Sequence, residues 1–132
     1  MKGIGSKIVK TLTISTRLVC SDNSGAKELY IIGVLGAKGS RGKNPKAGVG
    51  DIVIASVRKG KQEMIKKVVK ALIIRQKKEF KRANGTRISF EDNAAVIVSD
   101  DKLPVATEIK GVVAKEISER YPKVAAIASG IM

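Results

Sequence analysis

Residues 68–98 read VVKALIIRQKKEFKRANGTRISFEDNAAVIV, and this stretch decides how the chain folds. Its first eight residues, 68–75, are mostly apolar and β-branched, which is the composition of a strand. Asn84-Gly85 stands between two short runs of strand composition. Both residues tolerate a positive φ, so the pair predicts a β-hairpin. Residues 94–98, AAVIV, predict a buried strand.

The predicted hairpin has a thin apolar face and a strongly positive exterior. Side chains alternate along a strand, so Ile88 and Phe90 share one face and Phe80 faces them from the outgoing strand. Residues 58–87 contain twelve Lys and Arg but only two Glu. Such one-sided charge predicts a polyanionic partner, with a merely solvated basic face as the alternative.

The composition is that of a single globular domain with a basic surface. The chain has 132 residues, a net charge of +14 and a hydrophobic content of 43%. This charge indicates nucleic acid or an anionic membrane surface as the partner. No apolar run approaches the ~20 residues of a membrane span, and residues 1–10 lack the apolar region of a signal peptide. We therefore expect neither a membrane-spanning segment nor a signal peptide.

The residue types needed for most site chemistry are scarce. The chain has no His and one cysteine, Cys20, which we interpret as a small core residue rather than a nucleophile. No cofactor or metal is predicted. With two Phe, two Tyr and no Trp, platforms for base stacking are few, which favours recognition of phosphate and groove shape. The rival classes are a small basic enzyme and a free-standing nucleic-acid binder.

The remaining segments predict short strands, loops and one helix. Residues 1–15 form either an arm ordered by a partner or a frayed terminus. Strands are predicted at 16–20, 27–35 and 51–58, a turn at 21–26, and a helix at 108–120 that ends before Pro122. The glycine-rich loop 36–50 lacks the spacing of a phosphate-binding loop. It is either a basic loop along a nucleic-acid backbone or a mobile one. Closely spaced short strands predict a small β-barrel.

Four motifs, in this order, resemble the family of the universal large-subunit ribosomal protein fourteen. They are DNSGAKEL (22–29), AGVGD (47–51), IIRQKK (73–78) and GTRISFEDNAAVIV (85–98). The FEDNA block and the N-terminal arm resemble the archaeal and eukaryotic branch. The chain departs from the family before the predicted helix, where it has Gly111-Val112 in place of Gly-Pro and Ala106-Thr107 in place of Gly-Thr.

The resemblance implies a mainly β fold: a five-stranded β-barrel with a projecting β-hairpin ribbon and a short helical C-terminal part. We expect an arm at 1–15 and one barrel domain at 16–132, with the helical segment at about 105–132. The implied protein is a non-enzymatic structural constituent of the cytoplasmic ribosome. Its implied partners are large-subunit rRNA, neighbouring large-subunit proteins, small-subunit rRNA at intersubunit bridges, and the anti-association initiation factor six. No membrane or small-molecule substrate is implied.

Two groups of site residues follow from charge and resemblance together. We predict that RNA is bound by cations of the barrel, loop and ribbon: Lys27, Arg41, Lys43, Lys46, Arg75, Lys77, Lys78, Lys81, Arg82 and Arg87. We predict that the protein-facing residues are Val112, Val113, Lys115, Glu116, Glu119 and Arg120, because from Ile88 onward the acidic and basic residues nearly balance. The alternative is that the C-terminal part only closes the open end of the barrel.

Overall fold

The computed structural model describes residues 8–35 and 45–132 and contains a closed five-stranded β-barrel. In chain order the elements are β1 (Leu12–Thr13), β2 (Arg17–Cys20), β3 (Ala26–Val34), β4 (Lys46–Ala47), β5 (Ile52–Gly60), β6 (Val68–Arg75), β7 (Phe80–Lys81), β8 (Arg87–Ile88), β9 (Ala94–Val98), β10 (Ile109–Val113), α1 (Lys115–Arg120), α2 (Pro122–Ala126) and β11 (Ala128–Ile131). The barrel order is β2-β3-β5-β6-β9. The predicted mainly β fold with a five-stranded barrel is confirmed.

The barrel strands lie where their composition places them. The predicted bounds agree with the observed ones within two residues at every strand end. Alternation sends Leu29, Ile31, Val53 and Val57 into the interior, where none of them is exposed to solvent. Four of the five strand pairings are antiparallel. The fifth, between β2 and β9, is parallel and closes the barrel.

The outer wall of the barrel has a covered half and an open half. Every residue of β9 is buried, as are the last five of β6, so both faces of these strands are packed. The C-terminal elements supply the cover: Ile109, Ile117 and Val124 are fully buried in the same apolar cluster as the barrel interior. On β2 and β3, by contrast, outward residues such as Arg17 and Ile32 are exposed. The two halves therefore present different surfaces.

The C-terminal part differs from the predicted helix. Residues 109–113 form strand β10, which pairs in parallel with β11, and only residues 115–120 and 122–126 are helical. Gly111 has a φ of +77°, which no helix accommodates, and a Cβ there would lie 2.5 Å from Nη1 of Arg75. The helical spacing of Val113 and Ile117 therefore coincides with a strand-to-helix junction. Pro122 ends the first helix as predicted, but it also begins the second.

The predicted hairpin is present as a small two-stranded ribbon. Phe80 pairs with Ile88 and Lys81 with Arg87, while Gly85 has a φ of +88°. Phe80 is buried and Ile88 half-buried, so the apolar face is thin and packs on the barrel, as its alternation predicts. No helix among residues 8–35 and 45–132 is long and apolar enough to cross a membrane.

The last residues of the predicted arm pack on the chain itself. Strand β1 pairs with β4, and Leu12 and Ala47 are both buried. Residues 1–7 and most of the glycine-rich loop, 36–44, lie outside the described residues. The division of the chain into an arm and a barrel domain stays a prediction.

A buried carboxylate secures the closure of the barrel. Only two residue pairs join β2 to β9, and directly after them Asp22 accepts a hydrogen bond from the Ile97 backbone N–H (2.9 Å). Its other oxygen accepts from the Ser24 backbone N–H (3.2 Å) and from the Cys20 thiol (3.2 Å). The side chain thus continues a ladder that β2 is too short to complete.

Replacing Asp22 by Ala is expected to destabilise the fold by about 2–4 kcal/mol, because the Ile97 and Ser24 donors lose their buried acceptor. Cys20 provides the local readout: its thiol is buried, and that burial, with the Asp22 charge adding to it, raises its pKa to about 12. We expect the thiol to react slowly with a disulfide reagent at neutral pH in the original chain and faster in Asp22→Ala. Asp22→Asn keeps one acceptor oxygen and is the matched control. Equal thiol reactivity in all three chains would contradict this role of Asp22.

Candidate nucleic-acid interface

Most of the predicted RNA-binding residues are exposed cations on the barrel, the ribbon and the connections between strands. Six of the predicted RNA-binding residues have exposed side chains, namely Lys27, Lys46, Lys77, Lys78, Lys81 and Arg87. Arg87 lies 3.1 Å from the Glu79 carboxylate, an exposed pair that water screens. Arg41 and Lys43 lie outside the described residues. The exposed members are therefore available to a polyanion, and lysines predominate among them.

Two of these lysines are held at fixed backbone positions. The Lys77 backbone N–H donates to Oδ1 of Asn93 (2.8 Å), and the Lys78 carbonyl accepts from Nε2 of Gln76 (3.0 Å). Gln76 is fully buried, and its Oε1 accepts from the Val49 backbone N–H (2.9 Å). Because this amide is locked in the core, only the lysine side chains stay free to adjust to phosphates.

Arg75, one of the predicted RNA-binding residues, is bound largely within the chain. Its side chain is largely buried and donates from Nη1 to the Val112 carbonyl (3.1 Å) and from Nη2 to the Ser21 hydroxyl (2.5 Å). Its Nε lies 3.0 Å from the Asp92 carboxylate. The guanidinium therefore joins the end of β6 to the turn after β2 and to β10. These internal contacts occupy most of the guanidinium, and the predicted contact of Arg75 with RNA stays a prediction.

Arg82 is also bound within the chain, and with it one of the predicted partner-facing residues. Its Nε and Nη2 donate to the two carboxylate oxygens of Glu116, at 3.0 and 3.2 Å, and Nη2 also donates to the Met132 carbonyl (2.5 Å). Glu116 is only 1% exposed, so this is a buried, two-pronged ion pair. It ties the ribbon to α1 and to the last residue, so Arg82 and Glu116 have a role within the chain, and their predicted roles toward RNA and protein partners stay predictions.

The other C-terminal residues divide between core and surface. Val113 is fully buried, so the prediction that it faces a partner is corrected. Lys115 is exposed, while Val112, Glu119 and Arg120 are half-buried. The surface that a partner can reach is thus narrower than the predicted one.

A second basic region belongs to the charged window 58–87, but its residues were not assigned to a site from the sequence. The exposed residues Arg58 and Lys59 lie near the end of β5, and the connection to β6 adds three more exposed lysines, Lys61, Lys66 and Lys67. Arg58 lies over the ring of Tyr30, with its guanidinium carbon 4.4 Å from the ring centroid. The charge density was visible in the sequence. The contact was not, because it joins strands 28 positions apart and depends on their register.

Among the described residues we find no activated cysteine or tyrosine and no group of metal ligands. Burial raises the pKa of Tyr121 above its usual value, as it does for the Cys20 thiol, so both stay protonated at neutral pH. Among the described residues no three His, Cys, Asp or Glu side chains are grouped closely enough to hold a metal ion. A small closed β-barrel with exposed lysines on a fixed backbone and internally paired arginines is the architecture of a basic structural protein.

Comparison with known proteins shows the family to which the chain belongs. Residues 11–132 match the model of the family described as ribosomal protein L14p/L23e, and the chain belongs to this family. It is 56% identical over 128 residues to the large ribosomal subunit protein uL14 of Methanococcus vannielii, covering 97% of each chain. It is 48% identical to that of Methanoregula boonei and 45% to that of Methanocorpusculum labreanum, over the full length of both chains in each case. The predicted family, of the archaeal and eukaryotic branch, and its non-enzymatic ribosomal role are confirmed, and the relatives named here are archaeal.

The Arg82–Glu116 pair is expected to dominate the attachment of the ribbon. Arg82→Ala leaves the buried Glu116 carboxylate without its guanidinium and should cost about 3–5 kcal/mol of unfolding free energy. Arg87→Ala removes an exposed ion pair of the same ribbon and should cost about 0–1 kcal/mol. Denaturant titration of both variants and of Glu116→Ala, combined with Arg82→Ala in a double-mutant cycle, measures the coupling. Equal costs for Arg82→Ala and Arg87→Ala would show that the pair is not structural.

Proposed function

We propose that the chain, as a structural constituent of the large ribosomal subunit, binds the rRNA of that subunit through exposed cations of the barrel and ribbon. The observation that carries this proposal is the fixed backbone of Lys77 and Lys78, whose side chains are exposed in the connection between β6 and the ribbon. Lysine side chains neutralise phosphates and release counterions, so positioning comes from the fold and affinity from charge. Lys27, Lys46 and Lys81 extend the same function over the surface.

Arg41 and Lys43 stay in the proposal because of the sequence alone. They belong to the glycine-rich loop between β3 and β4, where Gly lets a backbone come close to RNA and Lys or Arg neutralises phosphate.

We further propose that the exposed side of the C-terminal part contacts neighbouring ribosomal proteins and other partners at the subunit interface. Those partners are the anti-association initiation factor six and, at intersubunit bridges, small-subunit rRNA. Support comes from exposed apolar residues at the end of the chain, Ile131 and Met132, beside the exposed Lys115. Apolar area with charges at its rim suits a protein contact.

The inner side of the same segment packs into the apolar core. Val124 is fully buried, Ala125 is nearly so, and β11 is paired with β10. This packing supports the alternative of a barrel plug for one face of the segment, while the proposal concerns the other. Truncation after residue 121 would remove core residues together with surface ones, so single surface substitutions make a cleaner test.

Replacing Lys78 and Lys81 together by Ala is expected to weaken RNA binding and to reduce its salt dependence. Each phosphate neutralised on a duplex contributes about −0.9 to the slope of log affinity against log salt, so the slope should flatten by roughly 1 to 2 units. Anisotropy titrations of a large-subunit rRNA fragment at several potassium chloride concentrations measure this slope.

The matched control is Lys110→Ala with Lys123→Ala, which removes the same charge from exposed C-terminal positions. A slope that changes equally in both double variants would show that only net charge matters. Sedimentation of the chain apart from large subunits would contradict the ribosomal role and favour a free nucleic-acid binder.

Lys115→Glu is expected to weaken binding of initiation factor six to large subunits by roughly 10-fold, since charge at the rim of a protein contact sets orientation and association rate. Cosedimentation of the factor with purified large subunits measures this. Lys123→Glu makes the same charge change on α2 and serves as the control. Unchanged binding to Lys115→Glu subunits, at normal incorporation of the chain, would place the factor elsewhere.

A further inference from the structure

The open half of the barrel wall has an aromatic residue at its centre. Strand register places Arg17 and Ser56 on either side of Tyr30, and Val68 beyond Ser56. Ile32 is the next outward residue along β3. We call Tyr30, Ile32, Ser56, Arg58 and Val68 the open face.

The open face presents apolar side chains to solvent. Val68 is 62% exposed and Ile32 is 42% exposed, on neighbouring parts of one sheet. A partner that covers these side chains removes apolar surface from water, which is favourable.

The Arg58–Tyr30 contact gives this face a stacking surface. The guanidinium lies over the phenol ring at 4.4 Å, within the range of a cation–π interaction. Within the described part of the chain, no carboxylate lies at ion-pair distance from Arg58. The planar cation is therefore held by the ring rather than by an acid, and it stays able to stack on another π system.

The positive charges around the open face favour an anionic partner. Directly after Arg58 the chain carries Lys59, and the β5–β6 connection adds the exposed Lys61, Lys66 and Lys67. The one acidic residue on this side of β3, Glu28, lies 3.7 Å from both Arg17 and Lys59 and is thereby neutralised. A protein segment would need an acidic rim of its own to match this charge, whereas RNA supplies one phosphate per nucleotide.

We propose that the open face binds one unpaired RNA nucleotide, whose base stacks on the Tyr30–Arg58 pair while Lys66 and Lys67 neutralise its flanking phosphates. The inference rests on the proposed RNA-binding function and specifies the RNA feature recognised. Bases within a duplex are stacked on each other and cannot present a face, so the nucleotide must come from a bulge, loop or strand end. Stacking accepts every base, so we expect little base preference.

The test compares a short RNA duplex with the same duplex carrying one bulged 2-aminopurine. The purified full chain is expected to bind the bulged RNA more tightly, and stacking should quench the 2-aminopurine fluorescence. Tyr30→Ala should lower the affinity for bulged RNA by about 5- to 100-fold and abolish the quenching, while leaving duplex affinity unchanged. Tyr30→Phe keeps the ring and should behave like the original chain.

Arg58→Lys provides an independent variant because Arg58 is exposed and its charge is retained. It should lose part of the preference for the bulge, since an ammonium group has no plane to stack. Arg17→Lys makes the same exchange at a neighbouring exposed position without a ring contact and is the matched control. Thermal unfolding followed by circular dichroism checks that each variant is folded.

The outcomes separate this inference from the function on which it rests. If the original chain binds neither RNA, the proposed RNA-binding function fails. If it binds both equally, or if Tyr30→Ala and Arg58→Lys leave preference and quenching unchanged, the unpaired-nucleotide inference is overturned while RNA binding stands. If Tyr30→Ala instead lowers only the retention of the chain in large subunits, the open face binds a protein and the inference is wrong.

Discussion

The closure of the barrel between β2 and β9 is the constraint on which the other parts depend. It joins the strands through only two residue pairs, so the turn that follows β2 must complete it. The Asp22 carboxylate does so by accepting a backbone N–H from β9 and another from its own turn. Burying a carboxylate costs solvation free energy, and several donors on one group offset that cost.

The same turn also anchors the C-terminal part. The Ser21 carbonyl accepts from the Lys110 backbone N–H (2.6 Å), and Asn23 accepts from the backbone N–H of Thr107 (3.1 Å). Arg75 then bonds both the Ser21 hydroxyl and the Val112 carbonyl. Because the turn is shared, the barrel and its C-terminal cover are positioned by one set of buried polar bonds. The cover in turn explains why β9 carries no charge, and it leaves the cations to the ribbon, the connections and the open half of the wall.

The strands and the hairpin could be predicted from the sequence because their signals are local. β-branched runs and an Asn-Gly turn determine backbone conformation over a few residues. The beginning of the C-terminal part could not, since Gly111 has a positive φ and lies against Arg75, 36 positions away, a contact that no local signal indicates. Periodicity at Val113 and Ile117 therefore predicted a helix where the strand β10 ends.

The sequence could not show which cations are paired within the chain and which are exposed, for a similar reason. Arg75 and Arg82 look like their neighbours in the sequence, and only the fold brings Asp92 and Glu116 to them. Lys78 and Lys81 have the same local composition but stay exposed. The Tyr30–Arg58 contact was missed because cross-strand neighbours depend on register, and the β3–β5 pairing contains three irregularities that the sequence does not announce.

In this geometry, arginine and lysine have different roles. Arg75 and Arg82 each bond a carboxylate and a backbone carbonyl, which a planar guanidinium does and a single ammonium does poorly. The exposed ribbon cations are mainly lysines, whose flexible stems suit phosphates at varied positions. Internal pairing lets the chain fold with a charge of +14, but the surface lysines still repel one another in the free protein. On the proposed RNA-binding function, a bound polyanion relieves that repulsion in the folded state. The same lysines that lower the stability of the free chain would then raise its affinity for RNA, and by linkage RNA would stabilise the fold.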